Sequence, residues 1–126
     1  MTLLAINPAH HPGAMDDDLI RALHIDDIQP FEVVPGITGR RLPATDLVRA
    51  WLYDFEPGAE WPDTDHHAAE ERYYVTQGEF VDNGEVYPAG TYVVLAAGSS
   101  HRPTSPKGGQ MLGISDARPA EGGSSD

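Results

Sequence analysis

Cysteine is absent from the 126 residues, which removes disulfides, thiolate metal sites and thiol catalysis. Lysine occurs once, at Lys107, so amine chemistry has almost no candidate. Basic residues are scarce altogether: 8 Lys and Arg stand against 20 Asp and Glu, a formal net charge of −12. Such a surface repels phosphate backbones and no basic patch offsets it, which makes nucleic acid a poor partner. Apart from Asp16–Asp18 the acids are scattered, as on a strongly solvated surface. Long apolar runs are missing too, none approaching the roughly 18 residues of a membrane span. The opening "MTLLAINPAHHPG" has neither the basic start nor the apolar stretch of a signal peptide. A cytoplasmic protein without membrane contact is the expectation.

The length suits one domain with a real core. Residues 1–30 read as an arm rich in Pro, His, Gly and Asp, within which "DDDLIRALHI" predicts a short helix with an acid near its N-terminus. From Phe31 onward, short runs such as "FEVV", "LVRAWLYDF", "ERYYV", "TYVVL" and "QMLGI" alternate with "PG", "QG", "DNG", "PAG" and "KGG". Short β-rich runs with Gly/Pro punctuation and no later helical period predict an all-β antiparallel barrel over residues 31–115. Residues 116–126, an acidic tail ending "GGSSD", have nothing to bury and are expected to be disordered. No repeat at solenoid spacing is present.

Alternation within "LVRAWLYDF" places Trp51, Tyr53 and Phe55 on one face and Leu52 with Asp54 on the other. In "EERYYV" it places Glu71 on the face of Tyr73 and Val75, where a carboxylate is costly unless a cation or a donor meets it. Asp65, His67 and Glu71 share that parity, so they face one interior if residues 65–75 are extended or joined by a tight turn. His66 points the other way unless a bulge resets the alternation. A third protein ligand must come from elsewhere, and His101 in "LAAGSSHRP" is the only later histidine. Nitrogen and oxygen ligands with open positions suit Fe, Mn, Zn, Ni or Co rather than a thiolate-rich structural zinc. Without such a partner, His101 in a Ser/Gly loop and His66–His67 beside acids are ordinary surface histidines. Trp51, Tyr53, Phe55, Tyr73, Tyr92 and Met111 are barrel core first, and the same residues are the candidate walls of a substrate pocket. Arg49 lies on the Trp51 face, where it either closes a salt bridge at the barrel edge or anchors an anionic substrate. The catalytic candidates are Glu71 and Asp65, with Tyr53 and Tyr73 beside them. No glycine-flanked nucleophile elbow appears, and "PKGG" at 106–109 reads as a surface turn rather than a phosphate cradle.

These residues resemble the two motifs of the cupin superfamily. The first resembles Gly58, Asp65, His67, Glu71 and Gly78, with the family's six residues between Glu71 and Gly78 and with Gly58 one residue further upstream than usual. The second resembles Gly90, Ala96, Gly98 and His101, Ala96 standing where the family has proline and Ser105 at its terminal Asn position. "VYPAGTYVVLAAGSSHRPTS" is similar to the cupins related to the C-terminal domain of the ChrR anti-sigma factor, and acetylacetone-cleaving dioxygenases share that general build. The resemblance implies a double-stranded β-helix, or jelly roll, holding one divalent transition metal: Fe(II), Zn(II) or Mn(II). It implies His67, Glu71 and His101 as ligands. One departure stands out, because the first histidine of the family's pair matches Asp65. Asp65 coordinates as a carboxylate, or a bulge lets His66 do so, or the position is vacant.

Cupins host many reactions, so the fold leaves function open. Three readings remain. The first is a metal-dependent enzyme on a small oxygenated organic substrate, such as an oxygen-dependent dioxygenase cleaving a C–C bond. The second is a redox-neutral cyclase, isomerase or lyase using Glu71 or Asp65 as a base. The third is a non-catalytic metal sensor or regulatory module, disfavoured because the first 30 residues are too few for a helical domain that would hold a sigma factor. A homodimer is expected, since barrel edges invite sheet extension.

Overall fold

The computed structural model describes residues 20–117. The expected helix over 16–25 begins outside those residues. From Ile20 to His24 the chain has no regular element, and a single 3-10 turn follows at Ile25–Asp27. His24 starts that turn: its backbone is extended, and its Nδ1 caps the turn by accepting from Asp26 N at 3.1 Å. The described part of the arm lies along the barrel, with Arg40 Nε donating to Ile28 O and Arg21 to Ala44 O. The acidic tail falls outside the described residues from position 118 onward.

Eleven strands follow: β1 (Phe31–Val34), β2 (Ile37–Arg41), β3 (Val48–Phe55), β4 (Ala59–Glu60), β5 (Asp65–His66), β6 (Glu71–Asp82), β7 (Glu85–Pro88), β8 (Tyr92–Leu95), β9 (Ser100–His101), β10 (Thr104–Ser105) and β11 (Gly109–Asp116). All pairings are antiparallel. The main sheet runs β1-β2-β3-β11-β6-β10-β4, with β7 and β8 also on β6, and β5 pairs β9 separately. The sheet curls into the expected all-β antiparallel barrel. Among the described residues no helix is long and apolar enough to cross a membrane.

Strand β6 is the spine. Its first half pairs with β8 and β11, and its second half with β7 and β10. Between the halves Gly78 has φ +68°, and a Cβ there would sit 2.1 Å from Gly108 O. Only glycine allows that approach. The kink also changes which side chains point inward: Tyr73 and Val75 are buried before it, Phe80 and Asp82 after it. A two-residue turn with positive φ at Asn83 and Gly84 then leads into β7, as the right-handed twist of a hairpin favours.

The core is Ile37, Phe55, Tyr73, Val75, Phe80, Leu95 and Met111. Phe55 packs edge-on against Phe80, at 4.9 Å between ring centroids, and closes one end of the barrel. Towards the other end the inward rows become polar. Trp51 faces Gly113, which faces Tyr73; next along, Arg49 faces Ser115, which faces Glu71. That gradient from apolar to polar sets where chemistry is available.

Candidate metal centre

The site begins with a short ladder. β5 and β9 pair so that Asp65 stands directly opposite His101 and His66 opposite Ser100. Direct partners on one face have Cβ atoms about 5 Å apart. The ladder continues one residue further through His67 N to Ser99 O at 2.9 Å. Alternation then returns His67 to the face of Asp65, and one ligand atom from each of Asp65, His67 and His101 lies within 4.8 Å of the others. His67 and His101 are buried, at 2% and 6% exposure. His66 is exposed on the opposite face, away from the cluster, because no bulge intervenes.

Behind His101 stands Asp82, 1% exposed. Its Oδ2 accepts from Tyr73 Oη–H at 2.6 Å and lies 2.7 Å from His101 Nδ1. With that oxygen accepting, Nδ1 carries the ring hydrogen and Nε2 keeps its lone pair on the Asp65 side, 3.9 Å from Asp65 Oδ2. Burial pushes the Tyr73 hydroxyl far above the usual phenol range, and the bond to Asp82 adds to the shift, so Tyr73 stays a donor. Glu71 takes a different position from Asp65: its Oε1 is 2.9 Å from His67 Nδ1, while His67 Nε2 is 3.7 Å from Asp65 Oδ2. The three convergent groups are thus Asp65, His67 and His101, with Glu71 against the far nitrogen of His67.

Two buried imidazoles and a half-buried carboxylate on one face are a donor set that Fe, Mn or Zn accepts. A fixed Nε2 lone pair on His101 fits such an ion better than a plain structural histidine requires. The residues present therefore fit a divalent metal.

The cluster opens onto a cavity of about 150 Å³ lined by Trp51, Tyr53, Trp61, Tyr73 and Met111, with Asp65, Glu71 and His101 at its polar side. That volume matches a hole that holds one benzene-sized molecule. Other expected pocket residues lie elsewhere. Phe55 is core, stacked on Trp61 at 6.2 Å. Tyr92 is 56% exposed on the outer face, because its partner Tyr74 has the outward parity. Arg49 lines a neighbouring cavity behind Trp51 and closes no salt bridge among the described residues.

Three contributors were not singled out from the sequence: Asp82, Trp61 and Gly113. Trp61 carried a readable signal, a lone large apolar residue four positions before Asp65 in a polar loop. Gly113, between Trp51 and Tyr73, leaves the space those rings enclose.

An antiparallel barrel with two buried histidines and a half-buried acid beside an aromatic-lined cavity is the arrangement of a cupin. The profile of the ChrR cupin-like domain matches residues 21–117, and the chain belongs to that family. An RmlC-like cupin from Shewanella frigidimarina superposes with a TM-score of 0.68 at 23% identity, over 73% of this chain and 86% of that one. The structure of Rhodobacter sphaeroides SigE in complex with the anti-sigma ChrR gives 0.67 at 22% identity, over 74% of this chain and 51% of that one. The polyketide cyclase RemF from Streptomyces resistomycificus gives 0.69 at 18% identity, over 79% and 80%. At these identities the likeness is one of fold. No curated protein matches the chain.

Proposed function

We propose that this chain is a cytoplasmic, homodimeric metal-dependent cupin enzyme acting on a small oxygenated organic molecule, with oxygen-dependent C–C cleavage as the first reaction to test. The observation that carries this reading is the convergence of Asp65, His67 and His101 on the polar side of an aromatic-walled cavity. A divalent ion held by those three residues would supply Lewis-acid polarisation of a carbonyl or enol oxygen, and iron would add electron transfer with dioxygen. The rest falls to the chain itself. Trp51, Tyr53, Trp61 and Met111 exclude bulk water, which strengthens polar contacts inside. Tyr73 and Asp82 hold His101 in one orientation. Gly113 leaves the gap for a planar group between Trp51 and Tyr73.

A redox-neutral reaction is the second reading, favoured by Glu71. Its carboxylate lines the cavity, where it is available to take a proton from a bound enolisable substrate. One experiment separates the two. Protein reconstituted with Fe(II), Mn(II) or Zn(II) is offered β-diketones, hydroxyacetophenones and small phenolic acids under air. Oxygen uptake with Fe(II) alone supports the dioxygenase; product with zinc and no oxygen uptake supports the cyclase or isomerase. Failure of the wild-type protein to retain about one equivalent of any of these metals would sink both.

A further inference from the structure

Cations are scarce in this chain, and most of those described are partnered. Arg40 pairs with Asp54, Arg72 with Glu70, Arg102 with Glu60 and two backbone carbonyls, and Lys107 with Glu79. Arg21 donates to the Ala44 carbonyl. The two remaining described cations, Arg41 and Arg49, make no hydrogen bond or ion pair among the described residues, although acids outnumber bases 20 to 8. Arg49 Nε is buried with no acceptor. Both arginines line one cavity of about 230 Å³, completed by Leu42, Ala44, Ala50 and Trp51, and no acid among the described residues lines it.

The strand register explains the placement. Arg41 on β2 is the direct partner of Trp51 on β3, and Arg49 stands two residues before Trp51 on the same face. Aromatic rings hold both guanidiniums: Arg41 Cζ lies 5.0 Å over the Phe31 ring and Arg49 Cζ 6.0 Å from the Trp51 centroid. Stacking orders the cations without consuming their N–H donors. A buried guanidinium donor left without an acceptor carries its full desolvation penalty, so an arriving anion would be met by donors already in place.

We infer that the Arg41–Arg49 cavity is a binding site for an organic carboxylate. The paired cations supply charge and forked donors for a planar carboxylate. The Leu42, Ala44, Ala50 and Trp51 walls favour one with an apolar body over inorganic phosphate. Trp51 also lines the metal-side cavity, so the carboxylate belongs either to one end of a substrate that reaches past Trp51 or to a separate ligand. The first source rests on the function proposed above; the site itself does not.

The test is calorimetric titration of the full chain with benzoate, benzamide and phosphate, in metal-stripped and Fe(II)-loaded protein. Benzoate is expected to bind, benzamide and phosphate to bind at least about tenfold more weakly, and Arg49→Gln to weaken benzoate by about tenfold or more. Arg41 is exposed, so Arg41→Gln gives the same reading should Arg49→Gln fail to fold. Equal benzoate affinity with and without metal assigns a ligand confined to this cavity. Arginine-dependent binding only after metal loading assigns the anionic end of a substrate. Absent benzoate binding, phosphate binding as tight as benzoate, or affinity unchanged in both arginine variants overturns the carboxylate site. Failure of the metal reading shows separately, as absent metal, and the stripped arm still decides the carboxylate.

Discussion

Asp82 gives one buried oxygen to two donors, Tyr73 and His101, and its other oxygen, Oδ1, has no hydrogen-bond partner among the described residues. Such a carboxylate is retained at a cost in desolvation, which is offset where it fixes a neighbour's tautomer and direction. Asp82→Asn keeps the volume and removes the charge. The expected result is a metal affinity lower by about 10–100-fold, measured by chelator competition. Tyr73→Phe leaves the His101 contact in place; it is expected to cost about 1–3 kcal/mol of stability for the lost buried hydrogen bond and to leave metal affinity nearly intact. Equal affinity for wild type and Asp82→Asn would detach Asp82 from the site. At this scale the sequence was legible where alternation held: Asp65 and His67 share a face, and His66 turns outward. Asp82 was not legible. It precedes Asn83–Gly84 and reads as an ordinary turn residue, and counting by twos from Tyr73 puts it outside.

The kink in β6 explains that failure and yields a prediction of its own. Gly78 on β6 and Gly113 on β11 have opposite surroundings. At Gly78 a Cβ would strike Gly108 O and the Gly109 Cα, and the backbone is left-handed, so Gly78→Ala has no unstrained solution. It is expected to cost more than about 2 kcal/mol, read as a lower denaturation midpoint. At Gly113 the nearest atom to a new Cβ is Glu71 Oε2 at 3.8 Å, which is ordinary contact. Gly113→Ala is expected to fold with stability changed by at most about 1 kcal/mol, while the methyl narrows the space between Trp51 and Tyr73 and weakens ligand binding there. Similar midpoints for the two variants would refute the account of the kink. The strands themselves were visible because Gly and Pro punctuate short β-rich runs, and "DNG" announced its hairpin. The parity switch needs Gly78 to be recognised as a bend, and a glycine inside a strand pattern does not specify that by itself.

At the scale of the molecule the outward face of the sheet carries the next question. Tyr74 faces Tyr92, Arg72 faces Val94, and Ile114 faces Arg72, so four exposed apolar side chains surround one arginine across β8, β6 and β11. Arg72 is itself occupied by Glu70 and by the Tyr92 hydroxyl. Among the described residues β8 pairs only with β6, leaving its outer edge open beside this apolar face. An exposed apolar patch with an unpaired strand edge is an interaction surface, and two-fold pairing of identical edges is the simplest closed solution. We propose this surface as the interface of the homodimer proposed above. Analytical ultracentrifugation should find a dimer at micromolar concentration. Val94→Glu should then yield monomer that folds normally, since a carboxylate beside the dyad meets its own copy in a chain already at −12. The same substitution should leave metal content unchanged, because Val94 points away from Asp65, His67 and His101. A wild-type monomer at high concentration would remove the dimer altogether; a dimer undisturbed by Val94→Glu would move the interface to another face, with the edge of β1 as the next to test.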